Sequence, residues 1–177
     1  MNWTDNFILI LLFTILGIAV ITDLRYRKIP NWLTFSAMAM ALIYHTSMNG
    51  WGKGLYSLMG IGLGMALLLI PYLLGGMGAG DVKLLGAVGG FLGPQGVFGA
   101  FIFIGIVGGF YALILLVIHR ILKGTTNRYW MMLRSLLQTG RLIHIPSSPM
   151  ESKPKLMYGL AIAIGTFLSL GLRNHFF

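Results

Sequence analysis

Apolar runs fill most of the chain, and polar residues gather in short clusters between them. The first run extends from about Phe7 to Asp23 and ends at a basic turn, Arg25, Arg27 and Lys28. Ile29-Pro30-Asn31 follows. Proline fixes its own φ and disfavours helix at the preceding residue, so one helix stops here and another begins with Pro30 in its first turn. The second run covers about Asn31 to Met48, and a glycine-rich loop leads to the third, about Leu55 to Leu74. Within it, Gly60 and Gly64 have the small-xxx-small spacing that lets two membrane helices approach closely. After Gly75-Gly76-Met77-Gly78-Ala79-Gly80 comes a fourth run, Asp81 to Leu92, only 12 residues long. At 1.5 Å per residue it reaches roughly 18 Å, short of a hydrocarbon layer of about 30 Å. Such a segment is short, kinked into its neighbour, or shielded inside the protein. Gly93-Pro94-Gln95-Gly96 interrupts it before the fifth run, about Val97 to Ile118, where Gly105 and Gly109 repeat the packing spacing. The sixth run covers about Leu156 to Leu172.

The expected fold is therefore all-α: a polytopic membrane protein with about six transmembrane helices, forming one membrane-embedded domain over residues 1–177. Residues 119–155 form the longest polar stretch, expected as a cytoplasmic loop. Trp130, Leu133, Leu136 and Leu137 fall toward one helical side of it, the pattern of a helix lying on the membrane surface. The first run lacks both the basic start and the small-x-small cleavage site of a signal peptide, and is read as a retained span.

Composition agrees. The chain is 56% hydrophobic and 10% charged, against about 25% charged in soluble domains. Its 13 Lys and Arg outnumber 4 Asp and Glu. These basic residues lie between apolar runs, so they read as orientation signals and not as a nucleic-acid surface. Placing the Arg25 turn inside puts 11 of the 13 basic residues inside, all but Lys53 and Arg173. With six spans this selects N-out/C-out. It also sets Asp23 and Asp81 at the same, cytoplasmic, ends of the first and fourth segments. The absence of cysteine excludes disulfides and thiolate chemistry.

The acids are Asp5, Asp23, Asp81 and Glu151, and two of them border or enter apolar segments. A carboxylate costs about 2.5–3.5 kcal/mol at mid-membrane, so it is expected to face a cavity or a partner. Asp23 reads equally as a span-end charge. Asp81 also reads as a helix cap, but it follows glycines at 75, 76, 78 and 80, each costing helix up to about 1 kcal/mol. Glycine lets another backbone approach, which a carboxylate that cleaves an extended peptide requires. Two carboxylates sharing a site cannot both ionise easily; one takes a proton from water while the other polarises a carbonyl. Such a dyad titrates as a unit.

Asp23 with Ile29-Pro30-Asn31, followed by Gly78-Ala79-Gly80-Asp81-Val82-Lys83, resembles the type IV prepilin peptidase family, membrane aspartic peptidases with a Gly-x-Gly-Asp motif. The resemblance implies that Asp23 and Asp81 are catalytic. It further implies a prepilin or pseudopilin substrate whose basic leader is removed at the cytoplasmic face of the inner membrane. Gly78, Gly80, Lys83 and Asn31 are the expected substrate-contacting residues. Lys83 reads also as a snorkelling interfacial lysine, and Asn31 as a cap of the second helix. Larger members carry a paired-cysteine insert and methylate their product; the cysteine-free chain resembles the short, peptidase-only branch of tight-adherence pili. The family's Pro-Tyr-Gly corresponds here to Met157-Tyr158-Gly159, with Tyr158 read as an interfacial anchor.

Neither a cofactor nor a metal is expected: His45, His119, His144 and His175 are scattered and no His-Glu-x-x-His occurs. Nucleic acid is not an expected partner, and the oligomeric state is left open. The competing reading is a small ion or proton transporter or channel subunit using Asp23 and Asp81 as cation sites; it lacks the internal repeat common in such folds. A presenilin-type peptidase lacks its Pro-Ala-Leu here.

Overall fold

The computed structural model describes residues 3–118 and 158–176. All the elements among them are helices: α1 (Trp3–Tyr26), α2 (Asn31–Asn49), α3 (Trp51–Leu73), α4 (Ala79–Ile118) and α5 (Tyr158–Phe176). The expected surface helix within 119–155 lies outside the described residues. Two compact units divide the chain, Met1–Gly108 with Met157–Phe177, and Gly109–Leu156. The first contains both acids and the packing contacts described below; of the second, only the helical residues 109–118 are described.

Three helices are long and apolar enough to cross a membrane: α1 over Phe7–Tyr26, α3, and α4 over Ala79–Ile114; Tyr158–Leu172 is a shorter apolar helix. Helix α2, with Asn31, Ser36, His45, Thr46 and Ser47 along it, is not among them. Six separate spans are thus not what the described residues display. The fourth and fifth runs join into the 40-residue α4, broken only at Gly93, whose φ of 71° and ψ of −179° are non-helical. Large apolar side chains lie exposed on the helices, among them Ile10, Ile21, Ile70 and Phe110. They suit lipid, where the solvent is itself apolar.

The short fourth run is shielded. Every residue from Leu84 to Phe91 is buried, so this arm of α4 forms the centre of the bundle and need not span the bilayer alone. Its neighbours come close because glycines face each other. A Cβ on Gly60 would run into the carbonyl of Gly89, and one on Gly64 into that of Leu85. The Gly60/Gly64 expectation therefore corresponds to backbone-to-backbone packing of α3 on α4. Of the Gly105/Gly109 pair, Gly105 shows no such approach among the described residues, where a Cβ would meet nothing within 4 Å. The helix register turns Gly108 toward Tyr158 instead, and Ile104 toward Gly165 of α5.

The break in α4 leaves carbonyls without helical donors. Pro94 has no N–H to offer the Gly90 carbonyl one turn back; Ser57 Oγ donates to it at 2.8 Å, buried. The Phe91 carbonyl accepts from His45 Nε2 at 3.2 Å. One side chain from α3 and one from α2 thus close the gap, as an apolar environment demands.

Gly60→Ala is expected to destabilise the detergent-solubilised protein by about 1–3 kcal/mol through overpacking. Gly62→Ala, whose Cβ would meet nothing within 4 Å, is expected to be neutral or to stabilise by up to about 1 kcal/mol. Denaturant titration of the two variants checks this pair.

Candidate active site

Helix α1 ends where the chain must turn sharply into Pro30. The Arg27 N–H donates to the Asp23 carbonyl at 2.8 Å, and Arg27 adopts φ 52°. This left-handed residue closes the helix in the manner usually reserved for glycine. Asp23 therefore sits in the last turn of α1, where the helix dipole presents its negative end to a carboxylate. Its own helix offers it no donor. The donor comes from across the bundle: Gly159 N–H, in the first turn of α5, gives the Asp23 Oδ2 a buried hydrogen bond of 3.1 Å.

Asp81 arises from the opposite kind of helix end. Gly75 at φ 74° turns the chain after α3, and Asp81 lies in the first turn of α4. Its Oδ2 accepts from the Gly78 N–H at 3.0 Å, while its own N–H donates to the Gly78 carbonyl at 3.1 Å. This is the back-reaching half of a capping box, favoured by the positive end of the dipole. The capping expectation for Asp81 thus describes its geometry.

The two carboxylates, each 8% exposed, line one cavity of about 750 Å³ and interact electrostatically. The cavity wall is built from the end of α1, the turn after it and the start of α2, including Thr22, Arg27, Pro30 and Asn31, and from Gly78-Ala79-Gly80-Asp81. Gly80 packs on this turn so closely that a Cβ would come 3.0 Å from the Ile29 Cβ.

Of the expected substrate-contacting residues, Gly78, Gly80 and Asn31 line the cavity with the acids. Lys83 does not: its Nζ donates to Asn31 Oδ1 at 2.9 Å and lies 5.0 Å from the centre of the Phe35 ring. Asn31 makes no side-chain cap of α2; its amide oxygen is committed to Lys83. Tyr158, half-buried, lies against Gly108, where an added Cβ would come 3.3 Å from its ring. Gly159 is the residue that sequence reasoning missed. The only trace of it was its place in the tripeptide Met157-Tyr158-Gly159. Among the described residues no group of three His, Cys, Asp or Glu side chains converges as a metal site would.

Helices of membrane-spanning character that bring two buried acids to one cavity define a membrane-embedded helical protein with a carboxylate-lined site. The type IV leader peptidase family matches residues 10–113, from α1 into α4 and including both acids, and the chain belongs to this family. It is accordingly a peptidase-type membrane protein acting on a substrate protein. No curated protein and no solved structure matches the chain significantly.

An arginine in the left-handed region costs about 1–2 kcal/mol that glycine does not incur, partly offset by the greater freedom of glycine in the unfolded chain. Arg27→Gly is therefore expected to raise stability by about 0.5–1 kcal/mol, and Arg27→Val to lower it, in chemical denaturation of the solubilised protein.

Proposed function

We propose that the chain is an aspartic endopeptidase that removes the basic leader from prepilins or pseudopilins at the cytoplasmic face of the inner membrane, with Asp23 and Asp81 as its catalytic pair. The observation that carries this reading is the placement of two buried carboxylates, from helices more than fifty residues apart in sequence, on the wall of a single cavity. Family membership supplies the reaction class.

In this reading the dyad holds one proton between its two carboxyl groups. The ionised group takes a proton from a water molecule, whose oxygen attacks the scissile carbonyl carbon; the protonated group stabilises the developing oxyanion. When the C–N bond breaks, a proton passes to the departing nitrogen and the dyad returns to its starting state. Gly78 and Gly80 leave the wall without side chains beside Asp81, which suits an extended substrate backbone. Asn31 contributes to the same wall, and Lys83 acts on it through Asn31. The basic cluster Arg25, Arg27 and Lys28 in the α1–α2 turn supports an outside N-terminus and a site opening to the cytoplasm. The lack of cysteine supports the short, peptidase-only branch.

Co-expression with a prepilin, scored by the mobility shift on leader removal, tests the reading. Asp23→Asn and Asp81→Asn are each expected to reduce cleavage by at least about 10²-fold while the protein still inserts. Cleavage at the wild-type rate in either variant removes the proposal. Orientation is tested separately in this cysteine-free chain. A membrane-impermeant maleimide is expected to label Asn31→Cys in inside-out vesicles and not in intact cells; the reverse pattern overturns the cytoplasmic placement.

A further inference from the structure

We propose that Gly159 is a positioning residue for the Asp23 carboxylate, and that the start of α5 is therefore part of the catalytic apparatus. The inference rests on the peptidase reading above and deepens it. Asp23 stands in the last turn of α1, where the N–H groups of its own turn are committed to the helix and the dipole disfavours an anion. A buried carboxylate without a donor is costly and has no fixed rotamer. The first turn of a helix, by contrast, has N–H groups with no helical partner, and Gly159 supplies one to Asp23 Oδ2 at 3.1 Å.

Glycine is required there on steric grounds. A Cβ at 159 would come 2.9 Å from Asp23 Oδ2 and 3.2 Å from its Cβ, so any side chain would push the carboxylate out of place. The arrangement has a counterpart on the other acid, where Gly78 N–H holds Asp81 Oδ2 and a Cβ would come 3.3 Å from that oxygen. Among the described residues neither carboxylate has another side-chain hydrogen bond. Each acid thus has one oxygen pinned by a glycine N–H and one oxygen left for water, substrate or the shared proton.

Gly159→Ala is expected to lower kcat for leader removal at least about tenfold, with KM within about twofold and the melting temperature unchanged, since a misplaced reacting group impairs turnover more than binding. Gly165→Ala serves as the packing control. Its Cβ would meet the Ile104 backbone at 2.6–2.7 Å, so it is expected to lower the melting temperature while each folded molecule keeps its kcat. An unchanged kcat in Gly159→Ala overturns the proposal. So does a Gly159→Ala protein that fails to fold, which would make the residue a packing element. A second readout needs no cleavage: in Asp23→Ala, hydrogen exchange at the Gly159 amide is expected to accelerate at least about tenfold, with the amides of α2 unaffected. Unchanged exchange sinks the positioning role whatever the enzyme does; absence of cleavage by the wild-type chain, with the exchange effect present, sinks the peptidase reading and leaves the clamp.

Discussion

Two buried carboxylates in a chain this apolar must each find a donor, and each finds one in a glycine N–H at the start of a helix. That requirement organises the molecule. Asp81 meets it locally, by reaching back from the third residue of α4 to Gly78. Asp23 cannot, because it lies at the unfavourable end of α1; it takes Gly159 from the far end of the sequence. Helices α1 and α5 are thus tied together at Asp23, and residues of the α1–α2 turn line the cavity together with both acids.

The rest of the bundle keeps that geometry in place by close backbone packing. The first arm of α4 carries Asp81 and is buried throughout its middle. Gly60 and Gly64 on α3 let it seat without intervening side chains. Its far end breaks at Gly93-Pro94, and Ser57 and His45 satisfy the carbonyls this exposes. The arm is therefore fixed at both ends: by its cap and the Ile29–Gly80 contact at one, and by side-chain donors at the other. A carboxylate carried on such an arm has little freedom to drift from its partner, which is the preorganisation that acid–base work needs.

Much of this was legible in the sequence because it rests on residue types with strong local consequences. Proline and glycine marked the helix boundaries at Pro30, at 75–80 and at Gly93-Pro94, and acids are so rare in the apolar runs that Asp23 and Asp81 stood out. The shortness of the 81–92 run left three readings open, and two of them hold together: the arm is shielded, and it is kinked into the next run at Gly93. What was hidden depends on register and on distance along the chain. Gly105 has the right spacing but meets no neighbour among the described residues, since spacing alone does not say which side of a helix meets a neighbour. Gly159 was missed because its contribution is a backbone N–H, which every residue but proline has, and its partner is 136 positions away. The Lys83–Asn31 hydrogen bond was likewise invisible, although both residues had been singled out for other reasons.

The shared cavity is most directly tested by distance, and the cysteine-free chain makes that measurement clean. Asp23→Cys/Asp81→Cys, treated in membranes with a short thiol-to-thiol cross-linker, is expected to form an intramolecular link. A Phe13→Cys/Phe167→Cys pair, whose native rings lie 5.7 Å apart, serves as a positive control for α1 against α5. A control that links while the aspartate-position pair does not would contradict the common site on which the proposed chemistry depends.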